Sequence, residues 1–176
     1  YEGPDPEGFE RVHHDEDGHD EHFGVPTPVA PLSRRSTWVD FELAYAKQHT
    51  TKPIKVAMPS PSLMMGYFKP GVSDKVYADR EAYMDDLVCL MNEDAKMLAA
   101  AGCAYIQIDA PQYTYVTDPK VRPDVTDPWA MLTKMIAYDN RVFEGVTGAV
   151  TGLHLCRGNY KSMFTGTKPY DDYAET

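Results

Sequence analysis

A histidine and a cysteine stand two positions apart near the end of the sequence, in His154-Leu155-Cys156. If this segment is a strand, alternate side chains point to the same face, so the imidazole and the thiol can reach one metal ion. Neutral imidazole and thiolate are ligands that zinc prefers, usually in sets of four. The pair is therefore a candidate zinc site, although a buried cysteine and a hydrogen-bonded histidine on a core strand explain the pair alone better.

Two further polar residues follow short apolar stretches and are candidates for substrate binding. Asp109 ends the stretch Tyr105-Ile106-Gln107-Ile108-Asp109, and a carboxylate at a strand end can hold a substrate ammonium group through charge-assisted hydrogen bonds. Ser60 lies in the stiff turn Pro59-Ser60-Pro61-Ser62, where its hydroxyl can line a pocket. A plain turn is an equally good interpretation of that second segment.

Strands and helices alternate in the pattern that must position these residues. Strands are predicted at 25–31, 54–58, 103–109 and 150–156, and helices at 38–49, at 79–101 and from Asp127-Pro128, where Asp caps and Pro begins the helix. Such alternation implies a parallel sheet with right-handed crossovers. The candidate residues then fall at carboxyl ends of strands, where both open α/β sheets and barrels carry their active sites.

Composition limits the classes of partner. The chain has 176 residues, 43% of them hydrophobic, and a net charge of -10, which excludes nucleic acid and anionic membranes as partners because both require clustered Lys and Arg. It contains no apolar run long enough to cross a membrane. Three cysteines do not make a disulfide framework and favour a reducing compartment, with the cytoplasm as the default.

The chain divides into two parts by composition. Residues 1–24 are rich in Asp, Glu, His, Gly and Pro and lack apolar periodicity, which predicts an exposed acidic loop or a poorly ordered segment. Residues 25–176 carry the alternating elements and all the candidate site residues. The catalytic part is therefore expected within 25–176.

Three segments together resemble the cobalamin-independent methionine synthases and their shorter relatives. Tyr105-Ile106-Gln107-Ile108-Asp109-Ala110-Pro111 resembles the IQIDEP signature of that family. Gly152-Leu153-His154-Leu155-Cys156-Arg157-Gly158-Asn159-Tyr160 resembles its zinc-binding strand, in the HxCRGN form of the shorter relatives. Lys52-Pro53-Ile54-Lys55-Val56-Ala57-Met58-Pro59-Ser60-Pro61 resembles the KPVK strand and its proline turn, and the order and spacing of the three also match.

The resemblance implies a fold and an activity. The fold class is α/β, a (β/α)8 TIM barrel of which this chain would contain about half. The cofactor would be zinc, with His154 and Cys156 as two of its ligands, and Asp109 would hold the amino group of homocysteine. The reaction would be methyl transfer to the homocysteine thiol from a methylated folate donor, which gives methionine.

The family's remaining zinc ligands, a Glu and a second Cys, lie on later strands. We therefore expect this chain to be an internal part of a longer protein, or to be completed by a partner chain or another copy, and to be an incomplete methyltransferase alone. Two alternatives stay open. One is a related zinc-dependent alkyltransferase that acts on another thiol, such as coenzyme M, or uses a different alkyl donor; Ala110, which stands where the signature has Glu, keeps it open. The other is a non-catalytic, truncated half-barrel that binds a metal or a partner.

Overall fold

The computed structural model describes residues 10–14, 20–158 and 164–173. The chain divides into two compact units. One contains the described residues of Tyr1–Ser33 together with Met64–Leu87, and the other contains Arg34–Leu63 together with the described residues of Val88–Thr176. The candidate site residues Ser60, Asp109, His154 and Cys156 all belong to the second unit.

A three-stranded parallel sheet forms the centre of the second unit, as the alternating pattern predicts. Its order is β3-β4-β5, with β3 at Lys55–Pro59, β4 at Tyr105–Asp109 and β5 at Val150–His154. β3 and β4 each alternate between buried and more exposed side chains, because successive residues of a strand point to opposite faces. The buried face is formed by Val56, Met58, Ile106 and Ile108.

The three predicted helices are present with small differences at their ends, and one short helix, at Gln112–Val116, was not predicted. A short π-helical turn at Val39–Leu43 leads into α1, at Ala44–His49. The other helices are α2 at Arg80–Ala100, α3 at Gln112–Val116 and α4 at Pro128–Val142. Short 3-10 segments occupy Pro61–Tyr67, Ser73–Lys75 and Tyr170–Tyr173. After α2, Gly102 turns the chain into β4 with a φ of 81°, a left-handed conformation that suits glycine.

The start of α4 confirms the predicted cap and allows a stability test. Asp127 Oδ1 accepts a hydrogen bond from the Ala130 amide at 3.0 Å, and Pro128 occupies the first helical position. We expect Asp127→Ala to lower the free energy of unfolding, measured in urea, by about 1 kcal/mol, because an orphan amide of the helix loses its acceptor. Asp127→Asn keeps a capping oxygen and should stay close to the unsubstituted protein; equal losses in both variants would contradict the cap.

The first unit departs from one prediction and adds detail to another. Residues 1–24 are predicted to form an exposed acidic loop or a poorly ordered segment, and within them β1 at Glu10–His14 and β2 at Asp20–Gly24 pair as an antiparallel hairpin, because backbone pairing does not require apolar side chains. Residues 1–9 and 15–19 of that prediction lie outside the described residues. The strand predicted at 25–31 is absent from the structure; Pro26, Pro28 and Pro31 lack the amide donors that a strand needs.

Two smaller predictions concern packing. The helical spacing of Trp38, Phe41 and Tyr45 predicts one apolar face of the first helix, but Phe41 and Tyr45 are both 66% accessible, and the buried residue of that segment is Leu43. Cys89 and Cys103 are both predicted to be structural; Cys103 is buried just before β4, whereas Cys89 is exposed. Among the described residues, no helix combines the length and apolar character needed to cross a membrane.

Candidate functional site

The three parallel strands end in register at their carboxyl ends. Pro59 pairs with Asp109, and Asp109 pairs with His154, so Asp109 lies on the central strand between the other two. Two backbone hydrogen bonds continue beyond the strands. The Ser60 amide donates to the Asp109 carbonyl, and the Ala110 amide donates to the His154 carbonyl, each at 2.9 Å. Because neighbouring strands lie about 4.8 Å apart, this edge brings Asp109 and His154 side by side.

Asp109 lies on the sheet face opposite the buried apolar face, and its carboxylate is partly anchored. Alternation along β4 puts Gln107 on the same face, and the Gln107 side-chain amide donates to Asp109 Oδ1 at 2.6 Å. Within the described ranges no donor reaches Asp109 Oδ2. One oxygen of this half-buried carboxylate is therefore held in place, and the other can accept a hydrogen bond from a ligand.

Tyr105 closes the same face two residues before Gln107. Its ring lies against Gly152 of β5 so closely that a Cβ at that position would overlap the Tyr105 hydroxyl. The Lys55 ammonium lies 5.7 Å from the centroid of the same ring. The aromatic ring of the neighbouring strand thus fills the space that a side chain at residue 152 would occupy.

His154 and Cys156 are close in sequence but differ in setting. β5 ends at His154, which is exposed, so Cys156 lies beyond the predicted strand end and strand alternation alone does not set its direction. Cys156 is half-buried and has a free thiol. An imidazole and a free thiol fit the donor preference of zinc. In residues 10–14, 20–158 and 164–173, however, no group of three or more His, Cys, Asp or Glu side chains is arranged to hold a metal.

The backbone after Cys156 is held by α3 and by the described segment that begins at residue 164. Thr114 Oγ1 lies 3.0 Å from the Cys156 carbonyl oxygen, to which it can donate. The Arg157 carbonyl accepts hydrogen bonds from the Thr165 and Gly166 amides at 2.7 and 2.8 Å. Asn159, the last residue of the HxCRGN motif, and Tyr160 after it lie outside the described residues.

Asp118, just past α3, anchors the returning segment from a buried position. Its Oδ2 accepts from the Thr167 hydroxyl at 2.6 Å and from the Thr167 amide at 2.8 Å, and its Oδ1 accepts from the Lys120 amide at 3.0 Å. Burial alone would raise the pKa of Asp118, but these hydrogen bonds and the Lys120 charge hold it below its usual value. Asp118 is therefore charged at neutral pH.

Ser60 is at the predicted edge, but its hydroxyl points inward. It is fully buried and donates to the carboxylate of Asp139 on α4, with distances of 2.8 and 2.9 Å to the two oxygens. The same hydroxyl accepts from the Gln112 side-chain amide at 2.7 Å and from the Ser62 amide at 3.0 Å. Its hydrogen-bonding capacity is thus used within the protein.

Asp139 is the residue of this region that sequence reasoning missed. It is 4% exposed and also accepts hydrogen bonds from the Tyr113 hydroxyl at 2.8 Å and the Ser62 hydroxyl at 3.2 Å. Burial raises the pKa of Asp139 above its usual value, although the hydrogen bonds from Ser60, Tyr113 and Ser62 partly offset the shift. Burial, and then the neighbouring Asp139 charge, raise the pKa of Tyr113, which remains a donor.

One sequence signal could have identified Asp139. It falls on the apolar stripe of α4, four residues after Met135 and three before Val142, both of which are buried. A carboxylate at a core position of an amphipathic helix must be hydrogen-bonded. The stripe alone would therefore have predicted a buried polar network without naming its members.

An open cavity of about 370 Å³ is lined partly by residues of β5. Leu153 and Leu155, which alternate with His154 along the chain, contribute to its lining together with Leu132, Ile136 and Phe143. Its lining is mainly apolar, with Asp139 and Tyr113 among its polar residues. Leu153 and His154 lie on opposite faces of β5, so the cavity and the proposed metal donor belong to different faces of the sheet, although the cavity shares Asp139 and Tyr113 with the buried network.

Comparison with known proteins gives a consistent result. No family model matches the chain. It is 29% identical over 129 residues to the uncharacterised protein YxjH of Bacillus subtilis, a match that covers 69% of this chain and 33% of that protein. It is 27% identical over 140 residues to methionine synthase of Pyrococcus horikoshii, covering 79% of this chain and 36% of that protein.

A solved structure agrees with these relatives. A B12-independent methionine synthase from Shewanella sp. W3-18-1, in complex with selenomethionine, matches 88% of this chain and 40% of that chain, with 29% sequence identity and a TM-score of 0.59. The chain thus spans between a third and two fifths of the length of the proteins it matches. This chain is a relative of the cobalamin-independent methionine synthases, and the resemblance inferred from its motifs is confirmed.

Proposed function

We propose that this chain forms part of a zinc-dependent methyltransferase that transfers a methyl group from a methylated folate to the thiol of homocysteine. One observation carries the proposal. The carboxylate of Asp109 and the imidazole of His154 end neighbouring parallel strands in register, on the edge where such sheets bind substrates. An ammonium site and a thiol site side by side suit a small amino acid with a thiol group. We further propose that the sheet is part of a (β/α)8 barrel.

Asp109 would bind the substrate ammonium. Gln107 donates to Oδ1, which limits rotation of the carboxylate, and Oδ2 would accept a hydrogen bond from the substrate ammonium. A carboxylate that is held before the ligand arrives loses little conformational entropy on binding. This prior orientation favours an amino acid over a thiol that lacks the amino group.

His154 and Cys156 would supply two metal donors. Zinc bound there supplies a Lewis acid that lowers the pKa of a thiol in its coordination sphere. Thr114 fixes the Cys156 carbonyl, and the Ala110 amide fixes the His154 carbonyl, so the backbone of both donors is oriented by the protein. The other donors would come from the substrate and from residues outside the described part of the chain.

Ser60 is the fourth residue expected at this site, as a substrate ligand. Its hydroxyl is committed to Asp139, so we propose that it contributes to substrate binding through the turn it stabilises. Its backbone amide holds the Asp109 carbonyl, which links this turn to the proposed ammonium site.

The test compares two thiols that differ only in the amino group, L-homocysteine and 4-mercaptobutyrate. We expect zinc-loaded protein to bind homocysteine more tightly by calorimetry. Asp109→Asn should weaken homocysteine binding by roughly 10- to 150-fold, which corresponds to the 1.5–3 kcal/mol of a hydrogen bond to a charged group. The reason is geometric: the introduced amide must turn its oxygen to Gln107, which leaves its NH₂ group facing the ammonium.

The controls are a ligand and a variant. Affinity for 4-mercaptobutyrate should be unchanged in Asp109→Asn. Asp124→Asn, which removes an exposed carboxylate paired with Arg122 at 2.8 Å, should leave both affinities as they are. Equal binding of the two thiols by the unsubstituted protein would contradict the proposed amino-acid substrate.

A second thiol remains a candidate because of Ala110. It is fully buried and stands where the family signature has Glu, so this position offers no carboxylate to the site. An alkyltransferase for a thiol without an amino group, such as 2-mercaptoethanesulfonate, is the alternative proposal. It predicts tighter binding of that thiol than of homocysteine, and no effect of Asp109→Asn on its affinity.

A further inference from the structure

Asp139 is connected to both ends of the turn that carries Asp109. At the beginning of the turn, the Asp109 carbonyl accepts from the Ser60 amide, and the Ser60 hydroxyl donates to Asp139. At its end, the Gln112 side chain donates to the same Ser60 hydroxyl, and the Tyr113 hydroxyl donates directly to Asp139. The segment from Asp109 to Tyr113 is therefore held at two points by one carboxylate.

The same turn is linked to the proposed metal donors. Between its two fixed ends, the Ala110 amide donates to the His154 carbonyl at 2.9 Å. The next residue after the turn, Thr114, contacts the carbonyl of Cys156 through its hydroxyl at 3.0 Å. A displacement of α3 would thus move the neighbours of Asp109, His154 and Cys156 together.

Stability alone is a poor explanation for this carboxylate. The side chains that donate to Asp139 in the described part of the chain do so through hydroxyl groups, and none of them carries a positive charge. A buried carboxylate without a cationic partner costs desolvation energy that an apolar side chain of similar size would not. Instead, its hydrogen bonds, with distances of 2.8–3.2 Å, join the turn that contains Ser60 and Ser62, helix α3 and helix α4 at one point.

We propose that Asp139 is a positioning residue for the amino-acid end of the site, which holds the Asp109 turn in the orientation that recognises an ammonium group. The identity of the ligand rests on the proposed function, whereas the effect of Asp139 on the position of the Asp109 carboxylate does not. It acts through Ser60, Gln112 and Tyr113 and does not itself touch the substrate.

The test is Asp139→Asn, which keeps the size of the side chain. The introduced amide keeps one acceptor oxygen but replaces the other with an NH₂ group. The hydroxyls of Ser60 and Tyr113 both donate to the carboxylate in the unsubstituted protein, so at least one of them must reorient. We expect the ratio of the affinities for L-homocysteine and 4-mercaptobutyrate to fall roughly 10-fold, as supporting residues of binding sites commonly show. A purely structural role would weaken both ligands alike and leave the ratio unchanged.

The matched control is Asp94→Asn on α2. Asp94 is also largely buried, with 14% of its side chain exposed, and it pairs with Arg34 at 2.9 Å. It lies on the helix that precedes β4 in the chain, and its partner Arg34 is not part of the hydrogen-bond network around Asp139. We expect this variant to lower the melting temperature and to leave the affinity ratio intact.

A second measurement needs no ligand. Gln107 donates to Asp109, so the side-chain amide resonances of Gln107 in a ¹⁵N–¹H spectrum report the position of that carboxylate. We expect them to shift in Asp139→Asn and to remain unchanged in Asp94→Asn. If Asp139→Asn does not fold, Tyr113→Phe replaces it in the test. This variant removes a single hydrogen bond to Asp139, so we expect the same changes to a smaller extent.

The outcomes separate the two proposals. An unchanged affinity ratio in Asp139→Asn overturns the positioning role while the proposed substrate stands. Equal binding of the two thiols by the unsubstituted protein overturns the proposed substrate, and the Gln107 resonances then decide on Asp139. Unshifted resonances in that case overturn the positioning role as well.

Discussion

We expect the zinc affinity of this chain to fall at least about 100-fold when His154 or Cys156 is replaced by Ala. Each replacement removes a direct donor, and the loss should exceed the 10- to 100-fold that removal of supporting residues costs. The imidazole is exposed at a strand end and the thiol is not in a disulfide, so within the described residues neither side chain has a hydrogen-bond partner that a metal would need to displace. Competition against a chromophoric chelator measures the affinity directly.

Cys89→Ala provides the control for this result. Cys89 is another free thiol, exposed on α2, and its removal should leave the zinc affinity unchanged. Equal losses in Cys89→Ala and Cys156→Ala would indicate adventitious binding by thiols. Full retention of zinc in His154→Ala and Cys156→Ala would exclude these residues as ligands, whichever activity the longer relatives have.

The second large effect is expected in the sheet. Ile108 of β4 is fully buried, and we expect Ile108→Ala to lower the free energy of unfolding by about 2–5 kcal/mol, the range for large-to-small substitutions in protein cores. Leu153→Ala is the matched control, because Leu153 pairs with Ile108 in register, on the same sheet face, yet is 45% exposed. Its cost should be below about 1.5 kcal/mol, since little contact is lost.

Urea unfolding of the three proteins measures the difference. A cost for Leu153→Ala as large as that for Ile108→Ala would mean that this part of the β5 face is covered in solution. The group that covers Leu153 would then lie in the cavity that Leu153 and Leu155 line. A small cost for Ile108→Ala would instead contradict the buried position of the central strand.

The sequence was informative where one element depends on neighbouring residues. Asp127-Pro128 predicted the start of α4, because capping uses atoms within one turn. The parallel sheet followed from the order of elements, and the carboxyl edge then brought Asp109 and His154 together. The resemblance to a family added the chemical role that we propose for each residue, which geometry alone does not provide.

The sequence was uninformative where a contact joins distant segments. The Ser60 hydroxyl was expected to face a substrate, but its partner Asp139 stands 79 residues away on another element. No local pattern distinguishes a serine that faces a pocket from one that faces a buried carboxylate. Likewise, Phe41 and Tyr45 have helical spacing, but whether another element covers them is a tertiary property.

The close approach of Tyr105 to Gly152 has a consequence for the descent of this chain. Gly152 cannot acquire a side chain while the Tyr105 ring keeps its present position, because the two would occupy the same space. A side chain at residue 152 therefore needs the Tyr105 ring to turn away or to be replaced by a smaller residue. The residues tolerated at position 152 thus depend on the side chain at position 105, on the neighbouring strand.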